Sequence, residues 1–413
     1  MDLIKWALIP ALSFLVGWLY VNFLVSHPLK MSRYLFAATA ALFGTMALLF
    51  GTFPGVQLLP GIGLSLAGAL AGYAMMTRSV LSRGDPRSVP ELLRRKDDPG
   101  LGHTAVIYFT HGEPETYDPI GWINQFNEFD EQGISFVPFL ARPFFLYRLR
   151  QSYLKVGRSG HRAMHHQMVR SLERAYRAQG DHETRFYLSF LDDNPRPDAA
   201  AIQALNEGAS RIIVSEVFLT ISNHTAEGKE LIEALHIDDY VPISYTGPLY
   251  DSATLQSMFV RRAGEHLGST EPSMAGILLV GHGQPDEWDL EWASETKQEL
   301  GFRQAVLQRF EAEGYRRENL SLAWMEFKEP KPAAKIAEFS RKGVEKVLYF
   351  SAAISADAIH SQYDVPELVN QASVCAELSL INLGAWNDDP LVIQAIKEKI
   401  DLQLALESGE GHS

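Results

Sequence analysis

Three long apolar runs open the chain, at 6–25, 34–53 and 56–76, and none contains a charged residue. Each is about the 20 residues that cross a bilayer as a helix, so the pattern predicts three membrane spans. A cleaved signal peptide would account for the first run only. The middles of the runs hold no acid, base or histidine, which argues for an anchor rather than a proton relay or ion path. Gly17, Gly44, Gly61, Gly63, Gly68 and Gly72 read as positions where helices pack closely. Lys30 and Arg33 lie in the first loop and Arg78, Arg83, Arg87, Arg94, Arg95 and Lys96 follow the third run, while the second loop around Pro54 and Gly55 is uncharged. The excess of basic residues on one side places the amino terminus outside and the large domain in the cytoplasm, with Lys5 a lone contrary vote. The expected location is the inner (cytoplasmic) membrane, multi-pass.

Beyond a linker at 78–102 rich in Arg, Asp, Pro and Gly, the pattern changes to short apolar strands alternating with amphipathic stretches such as 164–179 and 295–313. It also repeats. Ala105-Val-Ile-Tyr-Phe-Thr-His111-Gly112-Glu-Pro114 is echoed by Gly276-Ile-Leu-Leu-Val-Gly-His282-Gly283-Gln-Pro285, each a strand ending in His-Gly-x-Pro. A second echo carries 187–195, the strand near 211–217 and the loop holding His224 onto 323–330, the strand near 346–352 and the loop holding His360. Strands alternating with helices indicate parallel sheets covered on both faces. The expected fold is α/β: two doubly wound parallel-sheet domains related by an internal repeat, preceded by three transmembrane helices. The expected divisions are an anchor at 1–77, a linker at 78–102, and halves at 103–265 and 266–413.

Composition sharpens this picture. The 413 residues carry 37 Lys+Arg against 50 Asp+Glu, but up to Thr77 the charged residues are Asp2, Lys5, Lys30 and Arg33, so the remainder carries 34 basic and 49 acidic groups. Such an acidic surface excludes a nucleic-acid partner, which needs clustered cations to displace counterions. The single cysteine, Cys375, can neither form an internal disulfide nor supply a thiolate cluster. Any metal must therefore be held by histidine and carboxylate.

Ligands of doubly wound sheets bind outside the carboxyl ends of the strands, and His111, His224, His282 and His360 all fall at or just after such ends. The second half carries the richer chemistry: Asp357, His360, Asp364 and Glu367 lie within eleven residues, with Glu326 at a neighbouring strand end. If the segment after Ala358 is helical, His360 and Asp364 share a face, unless Pro366 interrupts the turn. No His-x-x-x-His with a third ligand is visible, and the adjacent His165 and His166 would point about 100° apart on a helix. The set suits transient handling of a divalent metal, or proton removal near neutral pH. Both tasks are needed to put a metal into a macrocycle.

At this point the residues resemble the class II chelatase superfamily, which includes ferrochelatases and the sirohydrochlorin cobalt and iron chelatases. His282-Gly283-Gln284-Pro285 is similar to the ferrochelatase segment His-Gly-Leu-Pro. Tyr153-Leu-Lys-Val-Gly157-Arg-Ser-Gly-His161 followed by Gln167 resembles that family's Tyr-x-x-Ile-Gly-Gly-Gly-Ser-Pro followed by Gln. Trp386-Asn387-Asp388-Asp389-Pro390 resembles Leu-Asn-Asp-Ser-Pro. His360-x-x-x-Asp364-Val-Pro366 resembles instead the His-x-x-x-Asp-Ile-Pro of sirohydrochlorin chelatases, and Trp324-Met325-Glu326 with Pro330 their Phe-Leu-Glu followed by Pro. The ferrochelatase Gln-Ser-Arg segment is absent.

The resemblance implies a membrane-anchored chelatase that inserts a divalent metal, Fe2+ in preference to Co2+, into a porphyrin or sirohydrochlorin-type macrocycle. Its partners would be the tetrapyrrole, the metal ion and the membrane, with no tightly bound cofactor, the metal being substrate. His282 and His360 would form the proton-accepting and metal-handling pair, His282 accepting a proton and His360 a second proton or the metal. Asp364 and Glu326 would relay protons or attract the cation. His111, His224, Tyr153, Arg158 and Arg162 are second-rank substrate contacts, with Arg142 a further candidate partner for macrocycle carboxylates. The alternative is a tetrapyrrole or metal carrier or sensor that keeps the fold without turnover, and a third reading makes the soluble part a docking module of a larger membrane assembly.

Overall fold

The computed structural model describes residues 2–52, 55, 58–83, 89–131, 133, 137–373 and 378–410. Cys375, Pro54 and Arg87 lie outside them. The chain divides into two compact units, one formed by Met1–Pro86 with Thr116–Gly157 and the other by Arg87–Glu115 with Arg158–Ser413.

The first unit contains three helices long and apolar enough to cross a membrane, Asp2–Val25, Pro28–Thr52 and Leu58–Leu81. The second starts earlier than the uncharged run, so Lys30 and Arg33 stand in its first turns rather than in a loop. Pro28 explains this, because a proline is tolerated where the helix has no use for its N–H. The first and third helices meet through glycines: a Cβ on Gly68 would lie 2.6 Å from the Pro10 carbonyl oxygen, and Cβ atoms on Gly17 and Gly72 would strike the backbones of Ala69 and Phe14. Gly63 faces open space and Gly44 only touches Leu12, so close packing rests on part of the glycine set.

Residues 116–157 fold as helices Ile120–Glu131 and Arg142–Val156 and belong to this unit. They finish the end of the first helix, whose last carbonyls have no partner within the helix. The buried Arg150 guanidinium donates to the Phe23 and Ser26 carbonyls at 2.6 and 2.8 Å, and Tyr117 Oη donates to that of Val25 at 3.0 Å. Arg150→Met should leave those carbonyls unpaired at a cost of about 1–3 kcal/mol each. The check is a lower unfolding temperature of the detergent-solubilised chain, and an unchanged temperature would contradict the capping role.

The second unit holds two four-stranded parallel sheets. Strands β1 (His103–Thr110), β2 (Thr184–Phe190), β3 (Ala209–Glu216) and β4 (Ile243–Tyr245) line up in the order β2-β1-β3-β4. Strands β5 (Ala275–Gly281), β6 (Leu320–Trp324), β7 (Lys346–Ser351) and β8 (Ser379–Asn382) repeat that order as β6-β5-β7-β8. The central strands β1 and β5 are buried almost throughout, as near-continuous apolar runs in parallel sheets must be. One core joins the halves, with Val106, Tyr108 and Ile213 of the first sheet in the same cluster as Ile277, Leu279 and Phe350 of the second.

Beneath β5 lies a buried ion pair, Arg303 with Glu299, at 3.4 Å. Arg303 also donates to the carbonyls of Leu279 and Ala323 and stacks on Trp324, 4.0 Å from the ring centre. Glu299 in turn accepts the backbone N–H of His282 at 3.1 Å. Removing one partner of such a pair strands a buried charge, so Arg303→Met is expected to cost about 3–5 kcal/mol. Denaturant unfolding of the full chain checks this, and a loss under 1 kcal/mol would contradict it.

Candidate functional site

Each His-Gly-x-Pro turn stands at the carboxyl end of a central strand, His111 after β1 and His282 after β5. In this strand order that is the switch point, where chain connections diverge and leave a crevice. Gly112 and Gly283 have φ of +98° and +83°, which side-chain-bearing residues avoid. A Cβ on Gly283 would also approach the Glu326 carbonyl oxygen to 2.6 Å. The turn brings each histidine's Nδ1 onto the carbonyl of its own glycine, at 3.0 Å for His111 and 2.7 Å for His282. A carbonyl can only accept, so the proton is on Nδ1 and the Nε2 lone pair is free.

His360 opens a π-helical turn, His360–Asp364, that runs into the helix Val365–Asn370. Pro366 does not interrupt it, because it stands in the first turn of that helix, where a missing N–H costs nothing. The expected shared face is realised: His360 Nδ1 meets Asp364 Oδ2 at 2.7 Å. The His282 and His360 rings stand 5.6 Å apart between centres, inclined at 71°. Their protonation differs. Burial works to discharge His360, but the hydrogen bond and charge of Asp364, reinforced by Glu326 and Glu113, outweigh it and push it up to about 9. Burial holds His282 below the ordinary imidazole range; Glu326 opposes this and the charge of His360 adds to it. At neutral pH an imidazolium therefore faces a neutral imidazole, the divergence expected of an acid and a base.

The first half supplies a parallel pair. His111 and His224 rings are 4.6 Å apart at 78°, and His224 lies 6.3 Å from the Trp288 ring of the second half. His111 Nδ1 is also 3.3 Å from Asp192 Oδ2. Burial drives His224 well below the usual range, aided by His111 and by His282. The four histidines thus share one electrostatic neighbourhood. Among the described residues no group of three or more His, Cys, Asp or Glu is gathered to hold a metal.

Neither the known family models nor the curated proteins contain a match to this sequence. Solved structures do. SirB from Bacillus subtilis with Fe3+ is 13% identical, with 74% of this chain and 98% of that one aligned and a TM-score of 0.48. The sirohydrochlorin chelatase SirB from Bacillus subtilis subspecies spizizenii, in complex with cobalt, is 12% identical over 75% of this chain and 98% of that one, with a TM-score of 0.43. DR2241 from Deinococcus radiodurans, a multi-domain protein with structural similarity to chelatases, is 13% identical over 72% of this chain and 54% of that one, with a TM-score of 0.41.

Several further side chains tie together the loops around the pairs. Glu113, the variable residue of the first His-Gly-x-Pro, accepts the Ile359 N–H at 3.0 Å, one residue before His360. Burial raises its pKa against the opposing effects of Ser159, His360 and Ile359. Its counterpart is Gln284, which donates to Asp289 at 2.6 Å, so the repeat itself marks where the halves differ. Asp357 organises the loop before His360: its Oδ1 accepts Ser361 Oγ and the Ala385 N–H, both at 3.2 Å, and its Oδ2 accepts Asn387 Nδ2 at 3.1 Å. Gln167 and Asp388, from two separate motifs, meet at 2.8 Å.

Other expected contacts are engaged elsewhere. Arg158 pairs with Glu115, and Arg162 with Asp193 at 3.0 Å. Tyr153 and Arg142 belong to the first unit, where the Tyr153 ring lies 6.2 Å from that of Tyr117 and Arg142 forks onto Asp130. One pair was missed. His161 and His165 occupy one face of the helix His161–Ala178, with ring centres 4.4 Å apart. The signal was their four-residue spacing, which puts His165 beside His161 and not beside His166.

Proposed function

We propose that the protein is a membrane-anchored chelatase that inserts a divalent metal, Fe2+ in preference to Co2+, into a porphyrin or sirohydrochlorin-type tetrapyrrole. The observation that carries this is the neighbouring pair of imidazoles, His282 and His360, 5.6 Å apart between ring centres, each with Nδ1 occupied and Nε2 directed away from its own anchor. Insertion removes two pyrrole N–H protons and strips water from the metal. In this reading neutral His282 takes the first proton, as a general base with a pKa near or below the working pH does. His360 first releases its own proton to solvent, and the ring can then ligate the metal or accept the second pyrrole proton. Asp364 holds it throughout, in the manner of the carboxylates that orient metal-binding histidines. Glu326, which pulls electrostatically on both rings, attracts the cation.

The apolar first unit supports an apolar macrocycle as substrate. Besides the three long helices, it exposes Phe139, Leu140, Phe144 and Leu154 on the segment 116–157, an apolar surface of the kind that lies at a membrane interface. Arg158 and Arg162 already serve protein carboxylates, which leaves them less free for a polycarboxylate. The test is anaerobic absorbance of the full chain in detergent, offered protoporphyrin, coproporphyrin or sirohydrochlorin with Fe2+ or Co2+. Turnover with one macrocycle supports the reading and names the substrate. A spectral shift saturating at one equivalent without turnover would overturn it in favour of a carrier.

A further inference from the structure

The π-helical turn that carries His360 is held at its opening by side chains from separate parts of the chain. A helical turn leaves its first backbone N–H groups without partners of its own. Here three in succession are met by side chains. The N–H of Asp357 donates to Asn387 Oδ1 at 2.8 Å, that of Ala358 to Ser361 Oγ at 2.9 Å, and that of Ile359 to both carboxyl oxygens of Glu113, at 3.0 and 3.3 Å. Asn387 and Ser361 belong to the second half of the repeat. Glu113 belongs to the first.

The first half also supports Glu113 from behind. The hydroxyl of buried Ser159 hydrogen-bonds its carboxyl, and the Ser159 N–H donates to the Glu115 carbonyl at 2.9 Å, which keeps the two stretches side by side. Gly160 then lies against the same turn. Its N–H reaches Gln362 Oε1 at 3.3 Å, and a Cβ there would stand 3.3 Å from the Asp357 carbonyl oxygen.

The repeat shows that the architecture does not demand such a contact. Helix Asn223–Glu233, which carries His224, is capped from its own half by Ser222 and Thr225, the Ser222 N–H donating to Thr225 Oγ1 at 2.9 Å. Gln284, the counterpart of Glu113, turns to Asp289 and the Trp292 carbonyl, both in its own half. Among the described residues the cap is borrowed across the repeat at His360 and not at His224.

We propose that Glu113 is a positioning residue for His360. By holding the Ile359 N–H it fixes where the turn begins, and with it the aim of the His360 ring and of the Asp364 carboxylate that bonds that ring. The role rests on the reading of His282 and His360 as the reacting pair. A reacting group misplaced by about 1 Å loses on the order of 10²-fold in rate, so a contact one residue away has an effect larger than its own hydrogen bond. The site in the second half is then complete only with the first half folded against it.

Three replacements separate the contact from the charge. Glu113→Gln keeps an acceptor oxygen at the same reach, and its amide N–H can donate to Ser159 Oγ. Glu113→Asp keeps a carboxyl one methylene short, and Glu113→Ala removes the group. The full chain in detergent is compared by hydrogen exchange of the backbone amides of 357–364 and by Co2+ affinity, with a His282→Ala, His360→Ala chain as the blank. The expected result is faster exchange and about 10–100-fold weaker Co2+ binding in Glu113→Ala and Glu113→Asp, with Glu113→Gln close to the parent. Glu113→Asp carries the test where Glu113→Ala does not fold. Unchanged exchange in both overturns the contact, and faster exchange with unchanged affinity overturns the positioning role. An equal loss of affinity in Glu113→Gln would assign the effect to charge and overturn it as well. Failure of the underlying reading shows separately, as a parent chain that binds no more Co2+ than the blank, and the proposal falls with it.

Discussion

Replacing His282 by alanine is expected to lower the rate of metal insertion by about 10²–10⁴-fold, the usual contribution of a positioned general base. The fold should survive. Among the described residues His282 Nδ1 bonds only to the carbonyl of the adjacent Gly283, and the backbone N–H that Glu299 accepts is retained in alanine. The loss should therefore appear in kcat, with thermal unfolding within a few degrees of the parent chain. His111→Ala, in the corresponding position of the first half, should have a much smaller effect, because the charged partner in this cluster is His360 and not His224. Equal losses from the two replacements would contradict the placement of the reacting pair in the second half.

The second large effect concerns pH. His360 holds its proton up to about pH 9, so a metal that binds its Nε2 must displace that proton. Proton and metal then compete, and the apparent affinity of the His282–His360 pair should rise about tenfold per pH unit below pH 9 and level off above it. Asp364 supplies the largest raising effect on His360. In Asp364→Asn the amide oxygen can still accept from Nδ1, so the tautomer stays fixed while the negative charge is lost. The rising limb should move to lower pH by about 1–3 units, with binding near neutral pH tighter than in the parent chain. Titration of Co2+ from pH 6 to pH 9.5, beside a His282→Ala, His360→Ala chain as the blank for other cobalt, checks this. A flat profile, or one that Asp364→Asn does not move, would show that His360 is not the group the metal displaces.

Much of the fold was legible because the repeat writes the same short signals twice. His111-Gly112 and His282-Gly283 mark the ends of β1 and β5, and the two sheets share one strand order, as an internal repeat implies. The spacing of His360 and Asp364 was equally readable, since a helical turn brings residues four apart onto one face. What the linear pattern conceals is partnership over distance. Residues 116–157 have the composition of a soluble amphipathic segment, but Arg150 and Tyr117 end on carbonyls of the first apolar helix more than ninety residues earlier. No periodicity encodes such a contact. Asp357 is a similar case: by position it belongs to the chemistry around His360, but its carboxylate is consumed by Ser361, Ala385 and Asn387. The opposite holds for Glu113, which looks like the filler of a turn and in fact reaches across the repeat to the residue before His360.

The most direct measurement is anaerobic absorbance of the full chain mixed with Fe2+ and each macrocycle in turn, beside His282→Ala and His360→Ala. The account predicts multiple turnovers of metallated product with one macrocycle in the parent chain and none above background in either variant. Turnover that persists in both variants, or no turnover with any macrocycle in a chain that still binds one tightly, would contradict it.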